Sequence, residues 1–197
     1  MKLMKSEYPR RSISFLYRKD CGQIGWSVGF FFLVYLCVLM FAILSLEELR
    51  FSSDYLEDAL AASNLASAIV DLEEYGISHT LRLTKKEEAY QKYETAIKGN
   101  LNLDNDWNCP NRRLISGKVC CEIYIMYNVY GGNVEILERG RDGAWRRTEG
   151  RLGEVAAPNG VKVEHTGIYS EISFPVKSFS GMEITARKGK LVDIVGR

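Results

Sequence analysis

The longest uncharged run in the chain lies near its N-terminus. Residues 24–46 are 23 consecutive positions without Asp, Glu, Lys, Arg or His. As a helix rising ~1.5 Å per residue, this segment is roughly 34 Å long, which is enough to cross a hydrocarbon core of about 30 Å. The pattern predicts a single transmembrane helix over residues 23–46, because no other segment of the sequence approaches it.

The charges that flank this span predict its direction. Six basic residues and two acidic ones precede it, whereas Glu47 and Glu48 follow it directly. Under the positive-inside rule, residues 1–22 form a basic cytoplasmic leader, and residues 47–197 are extracellular. The alternative is a cleaved secretory signal, whose apolar region usually has about 7–15 residues and ends in a small-x-small pattern that residues 42–47 match poorly.

Helical periodicity continues beyond the span. Residues 47–75 contain no Pro or Gly and place Leu and Ala at helical spacing, with acidic residues between them. This pattern predicts one unbroken helix through residues 47–75, closed by Gly76. Asp20 and Gln23 have the chemistry of a capping box, so we expect the helix to begin just before the span.

A second helix is predicted over residues 85–98. Thr84 and Glu87 form a capping-box pattern at its start, and Lys98 and Gly99 are typical of a helix end. One apolar face is formed by Ala89, Tyr93, Ala96 and Ile97. We expect this face to pack on the first helix or on a sheet.

The C-terminal half has the residue types and alternation of β-strands. Residues 119–130 are rich in β-branched and aromatic side chains, residues 133–138 alternate, and Gly131-Gly132 between them predicts a hairpin turn. Further strands are predicted at residues 161–165, 170–176, 182–187 and 191–195. Residues 100–117 and 140–160 are predicted as loops, the second with at most short strands. The predicted fold class is α+β, with a mostly antiparallel sheet over residues 119–195 in one domain.

Composition and motifs narrow the chemistry. A net charge of +1 with 26% charged residues is typical of a globular domain and argues against a nucleic-acid partner. His79 and His165 are far apart and belong to no metal-binding pattern, so surface or structural roles are expected. We recognise no phosphate-binding loop, nucleophile elbow or paired carboxylates. The sequence therefore predicts no enzyme activity, no cofactor and no metal site.

The five cysteines fall in two groups. Cys21 and Cys37, at the edge of the span and within it, are interpreted as interfacial or buried thiols, with acylation of Cys21 as the alternative. Cys109, Cys120 and Cys121 lie in the exported part, where disulfides form. Cys109 is expected to pair with only one of the other two, because adjacent strand residues point to opposite faces. A structural disulfide and reduced thiols remain alternatives, with a three-cysteine zinc site as a third.

The order of these elements resembles that of type IV pilin-like proteins: a basic leader, a Gly22-Gln23 pair, an uncharged helix with an amphipathic extension, and a C-terminal sheet. More narrowly, residues 18–23 (Arg-Lys-Asp-Cys-Gly-Gln) resemble the leader end of TadE-like pseudopilins of tight-adherence (Tad) systems. The resemblance covers residues 18–75. It implies cleavage by a prepilin peptidase between Gly22 and Gln23. It also implies contact with membrane lipid and with other pilin-like subunits or assembly-platform proteins.

One position departs from the family pattern. Members commonly carry a Glu five residues into the mature helix, where the carboxylate pairs with the N-terminal amine of a neighbouring subunit. Counted from Gln23, that position is Ser27. We therefore expect a minor pilin-like structural subunit of a Tad or type IV-like pilus or secretion apparatus. The alternative hypothesis is a single-pass, membrane-anchored extracellular binding or scaffold protein of a secretion or conjugation machine.

Overall fold

The computed structural model describes residues 20–110, 115–177 and 182–195 of the 197-residue chain. Within these ranges the helices are α1 (Asp20–Ala66), α2 (Leu72–Ser78) and α3 (Lys86–Asn100). The strands are β1 (Cys120–Tyr130), β2 (Asn133–Gly140), β3 (Trp145–Arg151), β4 (Gly167–Lys177) and β5 (Glu183–Asp193). They form one sheet in the order β3-β2-β1-β4-β5, and all neighbouring strands are antiparallel. The α+β class predicted from the sequence is confirmed.

The described part of helix α1 runs from Asp20 through the whole uncharged segment. Residues 1–19 of the predicted leader lie outside the described residues. The chain divides into two compact units, residues 1–50 and residues 51–197. Nearly all described side chains of the first unit are exposed, including Trp26 at 84% and Phe31 at 70%. Among the described residues, α1 is the one helix long and apolar enough to cross a membrane.

The unbroken helix predicted over residues 47–75 is wrong, because α1 ends at Ala66. The backbone N–H of Ala68 bonds to the carbonyl of Leu65 in a tight turn, and Val70 then forms an antiparallel bridge with Leu83. These backbone bonds replace the next helical turn. The composition of residues 67–75 favours helix. The end of α1 is therefore set by the tertiary contact between Val70 and Leu83 and not by the local sequence.

The separate helix α2 starts at a cap that the sequence pattern did not single out. The Asp71 carboxylate accepts hydrogen bonds from the backbone N–H groups of Glu73 and Glu74, each at 3.1 Å. Gly76 lies inside α2 rather than after a helix end, which corrects the prediction for that residue. His79 instead terminates the helix in the left-handed conformation.

Helix α3 confirms the second predicted helix but not its caps. The N-cap residue is Lys85, which makes no side-chain capping bond, and the Thr84 hydroxyl instead donates to Asp71 at 3.4 Å. The helix runs past Gly99, and its C-cap residue is Leu101. Of the predicted apolar face, Ala89, Tyr93 and Ile97 are buried.

The β1–β2 hairpin matches its prediction. Gly131 and Gly132 both have positive φ, 55° and 83°, which is the backbone of a type I′ turn that glycine adopts without strain. Strand β4 contains the strand predicted at residues 170–176. The strands predicted at residues 182–187 and 191–195 are one continuous strand, β5.

Two predictions about residues 140–165 are wrong. Residues 140–160 include a full edge strand, β3, which pairs with β2 along its whole length. Residues 161–165 form no strand, and Lys162 makes only an isolated bridge to Ala156. Strand β3 is polar because edge strands commonly carry charged side chains, so it lacks the alternation that reveals a half-buried strand.

The sheet has a core on each face. On the helix side, α1 and α3 pack against Tyr124, Met126 and Ile168. On the opposite face, the alternate residues Ile125 and Tyr127 pack with side chains from the segment 155–163. The sheet is thus a middle layer that holds the C-terminal part of α1 on one side.

Candidate functional site

The C-terminal part of α1 is built into the core of the second unit. Leu56, Ala59 and Leu60 are buried in the helix-side cluster, and Leu60 is 0% exposed. Burial of one Leu side chain stabilises a fold by about 1.5–3 kcal/mol. This part of the helix is therefore a structural element of the domain rather than a free stalk.

Buried polar groups fix the register of α1 on the sheet. The Asn64 amide donates to the carbonyl of Lys190 at 2.8 Å and accepts from the Ser170 hydroxyl at 2.7 Å. The Tyr124 hydroxyl donates to Ser67 at 2.9 Å, just beyond the end of the helix. A slip of the helix would leave these buried groups without partners, at a cost of about 1–3 kcal/mol each.

An ion-pair cluster holds the same helix to the edge strand β5. The Glu57 carboxylate lies 2.9 Å from the ammonium of Lys188 and 2.5 Å from that of Lys190. The hydrogen bonds and charges of these two lysines lower the pKa of Glu57 to about 2. Lys188 also donates to the Ser53 hydroxyl at 3.0 Å. Helix α1 is thus attached to β5 from Ser53 onward.

The residues of the predicted processing site, Gly22 and Gln23, both lie within helix α1. At Gly25 and Gly29, further along the helix, an added Cβ would meet no other atom within 4 Å. This part of the helix therefore has an open surface with small residues, which would allow close approach of another helix. Cleavage after Gly22 remains a prediction.

The cysteines of the second unit occupy different surroundings. The Cys121 thiol lies against the helix-side core, and burial raises its pKa to about 12, which makes it a poor nucleophile. The Cys120 sulfur instead lies 3.8 Å from the Arg141 guanidinium. The two adjacent thiols thus differ in environment, as expected for successive strand positions.

Cys109 lies in the loop between α3 and β1. Its backbone N–H bonds to the carbonyl of Gly117 at 3.5 Å, and the neighbouring Asn108 forms a bridge with Lys118. This register places Cys109 opposite Gly117, and four residues of extended chain, about 13 Å, separate Gly117 from Cys121. A disulfide needs Cα atoms within about 7 Å, and the predicted bridge from Cys109 to Cys120 or Cys121 remains a prediction.

A polar cleft at one end of the sheet brings together both histidines. Its volume is about 380 Å³, within the range typical of ligand sites. It is lined by Tyr75, by residues 79–81 after α2, by residues 129–131 at the hairpin turn, by residues 164–166 before β4, and by residues 194–195 after β5. Sequence reasoning assigned the histidines separate structural roles and missed this convergence, which only the topology creates.

Hydrogen bonds to Thr166 connect the chain segments at the floor of the cleft. The Thr166 hydroxyl donates to the carbonyl of Leu81 and accepts from the N–H of Val129, both at 3.0 Å. The N–H of Ile194 bonds to the Thr166 carbonyl at 2.7 Å. Four separate chain segments are thereby joined at one residue, so the cleft is pre-formed.

His79 occupies an uncommon backbone conformation at the rim. Its φ of 56° and ψ of 20° lie in the left-handed region, which costs a residue with a side chain roughly 1–2 kcal/mol. Its N–H closes α2 by bonding to the Tyr75 carbonyl at 2.9 Å, and its ring meets that of Tyr75 edge to face at 6.0 Å. The imidazole is thereby held beside the cleft.

The described residues contain no group of three or more His, Cys, Asp or Glu side chains arranged to hold a metal ion. Comparisons with protein-family models, with curated proteins and with solved structures find no match for this chain. The functional argument therefore depends on the geometry of α1, the sheet and the cleft.

Proposed function

We propose that the chain is a minor pilin-like structural subunit of a Tad or type IV-like pilus or secretion apparatus. In this role residues 23–46 lie in the cell membrane, the N-terminal leader is cytoplasmic, and the sheet domain is outside. The observation that carries the proposal is the continuity of α1, which runs without a break from the uncharged segment into the core of an antiparallel sheet.

The exposed surface of α1 supports a membrane location. Sixteen large apolar side chains between Trp26 and Leu46 are each at least 38% exposed. Complete burial of one such side chain is worth roughly 1.5–3 kcal/mol, so leaving sixteen partly exposed ones in water would forgo on the order of 20 kcal/mol. That exceeds the usual 5–15 kcal/mol stability of a folded domain. Lipid, neighbouring helices or both must cover this surface.

The attachment of α1 to the domain supports an assembly role. The C-terminal part of α1 belongs to the core of the sheet domain, where Asn64 and Glu57 fix it to the sheet and to β5. In the proposed role this domain contacts neighbouring subunits outside the membrane, while residues 23–46 contact them within it.

Protease accessibility tests the topology. Full-length protein with a C-terminal epitope is exposed to proteinase K in spheroplasts and, separately, in inside-out vesicles. We expect loss of the epitope in spheroplasts and protection in the vesicles. The reverse pattern, or release of the protein by carbonate washing, would refute the proposed membrane arrangement.

Mass spectrometry of the membrane-extracted protein tests the pilin-like processing. In cells with an active prepilin peptidase we expect a mature N-terminus at Gln23. An intact Met1 leader in such cells would argue against processing, while leaving membrane anchoring possible. The protease experiment therefore tests the membrane arrangement, and mass spectrometry tests the processing, so either claim can be refuted without the other.

The second candidate function is a membrane-anchored extracellular binding protein of a secretion or conjugation machine. The pre-formed polar cleft favours it, since a purely structural subunit needs no such site. In this case cells would contain the chain as a single-pass protein without contacts to pilin-like subunits. Cross-linking in the membrane separates the two candidates.

A further inference from the structure

We propose that the cleft between α2, the β1–β2 turn and the start of β4 binds an uncharged saccharide of mono- or disaccharide size. This inference goes beyond the structural-subunit role and does not depend on it. It rests on the chemistry of the side chains that meet there, on three hydrogen-bonding side chains that have no hydrogen-bond partner among the described residues, and on the size and pre-formed shape of the site.

Aromatic rings come from several chain segments. Tyr75 and His79 lie on one side, Tyr130 lies at the hairpin turn, and His165 precedes β4. The faces of aromatic rings carry negative potential, which favours contact with the slightly positive C–H groups on the face of a sugar ring. Rings from three chain segments therefore line the space that a sugar would occupy.

The hydrogen-bonding groups of the cleft suit hydroxyl ligands. The Glu164 carboxylate accepts bonds through both oxygens, and the ring nitrogens of the two imidazoles add further hydrogen-bonding positions. Sugar hydroxyl groups donate and accept at once, so they match this mixture. The structure gives the Glu164 carboxylate and the imidazoles of His79 and His165 no hydrogen-bond partner among the described residues. These groups are therefore available to a ligand.

Other ligand classes fit less well. An anion would need a cationic lining, yet none of the described residues that line the cleft is a Lys or an Arg. The nearby Arg82 is engaged by Glu74 at 3.4 Å and by Glu135 at 3.6 Å, with its guanidinium over the Tyr130 ring. A metal ion would need a third ligand besides the histidines, and the described residues form no such group. An apolar ligand would leave the polar lining without partners.

Saturation-transfer difference NMR on the full-length chain tests this proposal. The protein is held in lauryldimethylamine oxide micelles, whose headgroup contains no sugar that would compete. The probes are D-glucose, D-galactose, N-acetyl-D-glucosamine, cellobiose and N,N′-diacetylchitobiose at millimolar concentration and pH 7.5. We expect transfer to the ring protons of at least one probe.

Three variants make the test specific to the cleft. Glu164→Gln and His165→Ala each remove an exposed cleft group. Each is expected to weaken binding about tenfold, the effect of losing one hydrogen bond worth about 1.4 kcal/mol. Glu154→Gln, an exposed carboxylate outside the cleft lining, is the matched control and should bind like the parent protein. Circular dichroism verifies that all three variants remain folded.

The proposal is overturned if no probe gives transfer above a protein-free sample, or if transfer persists unchanged in both cleft variants. Parallel titrations use inorganic phosphate and Zn²⁺. Binding of either one, lost in the cleft variants and without any saccharide signal, would also overturn it and would assign the cleft to an ion.

Discussion

Removal of one buried leucine tests whether α1 is part of the domain core. Leu60 is 0% exposed and packs in the helix-side cluster, whereas Leu65, on the same helix, is 60% exposed. The Leu60→Ala change removes buried methyl groups and leaves a cavity, which we expect to cost about 3 kcal/mol, within the usual 2–5 kcal/mol. Leu65→Ala should cost less than about 0.5 kcal/mol, because its side chain is solvated.

Urea unfolding of the full-length chain in micelles measures both changes. Trp107 and Trp145 pack against the helix-side core and report on the domain, and a Trp26→Phe background removes the signal of the exposed Trp of the first unit. With a slope of about 2 kcal/mol per molar urea, Leu60→Ala should lower the midpoint by roughly 1.5 M. Equal midpoints for the two leucine variants would refute the packing of α1 in the core.

Three further predictions concern single residues of the second unit. Glu57→Gln should destabilise the fold by about 1 kcal/mol at pH 7, because the Glu57 side chain is partly solvated. The pKa of Glu57 is about 2 in the folded chain and 4.5 in the unfolded chain. The difference in unfolding free energy between parent and variant should therefore persist above pH 4.5 and close as the pH falls towards 2. A difference that stays constant in acid would contradict the ion-pair assignment. Gly189→Ala should cost about 1–3 kcal/mol, because its Cβ would overlap the Tyr169 hydroxyl, whereas the unobstructed Gly99→Ala should be neutral or stabilising in thermal melts. His79→Gly should stabilise the protein by about 1 kcal/mol in urea unfolding, since glycine relieves the left-handed strain, and a loss of stability would show that the ring contact with Tyr75 outweighs it.

The main helix and the central strands could be predicted from the sequence because their signals are local. The uncharged run of residues 24–46 indicates a long apolar helix, and α1 contains the whole of it. Likewise, Gly131-Gly132 between two alternating segments indicates a hairpin and its register. These features depend on residues close together in the chain.

The features that sequence reasoning missed depend on distant partners. The end of α1 is set by the bridge between Val70 and Leu83 and by the cap at Asp71, while the composition of residues 67–75 favours continued helix. Strand β3 carries charged side chains such as Arg147, which pairs with the buried Glu135 at 2.9 Å, so no apolar alternation marks it.

The cleft was missed for the same reason. His79 follows a helix and His165 precedes a strand, and no periodic pattern connects them. They meet because the sheet order places the β1–β2 turn, the start of β4 and the end of β5 at one end of the domain. A site assembled from chain ends of several elements leaves no signature in any single segment.

Photo-cross-linking along α1 in intact cells tests the central claim most directly. A photoreactive phenylalanine analogue is placed at Leu33, which is 59% exposed, and for comparison at the exposed Leu65. The account predicts that Leu33 cross-links to a second pilin-like chain with its own basic leader and membrane helix, identified by mass spectrometry. Adducts with lipid alone at Leu33 and at every other position of the span would contradict it.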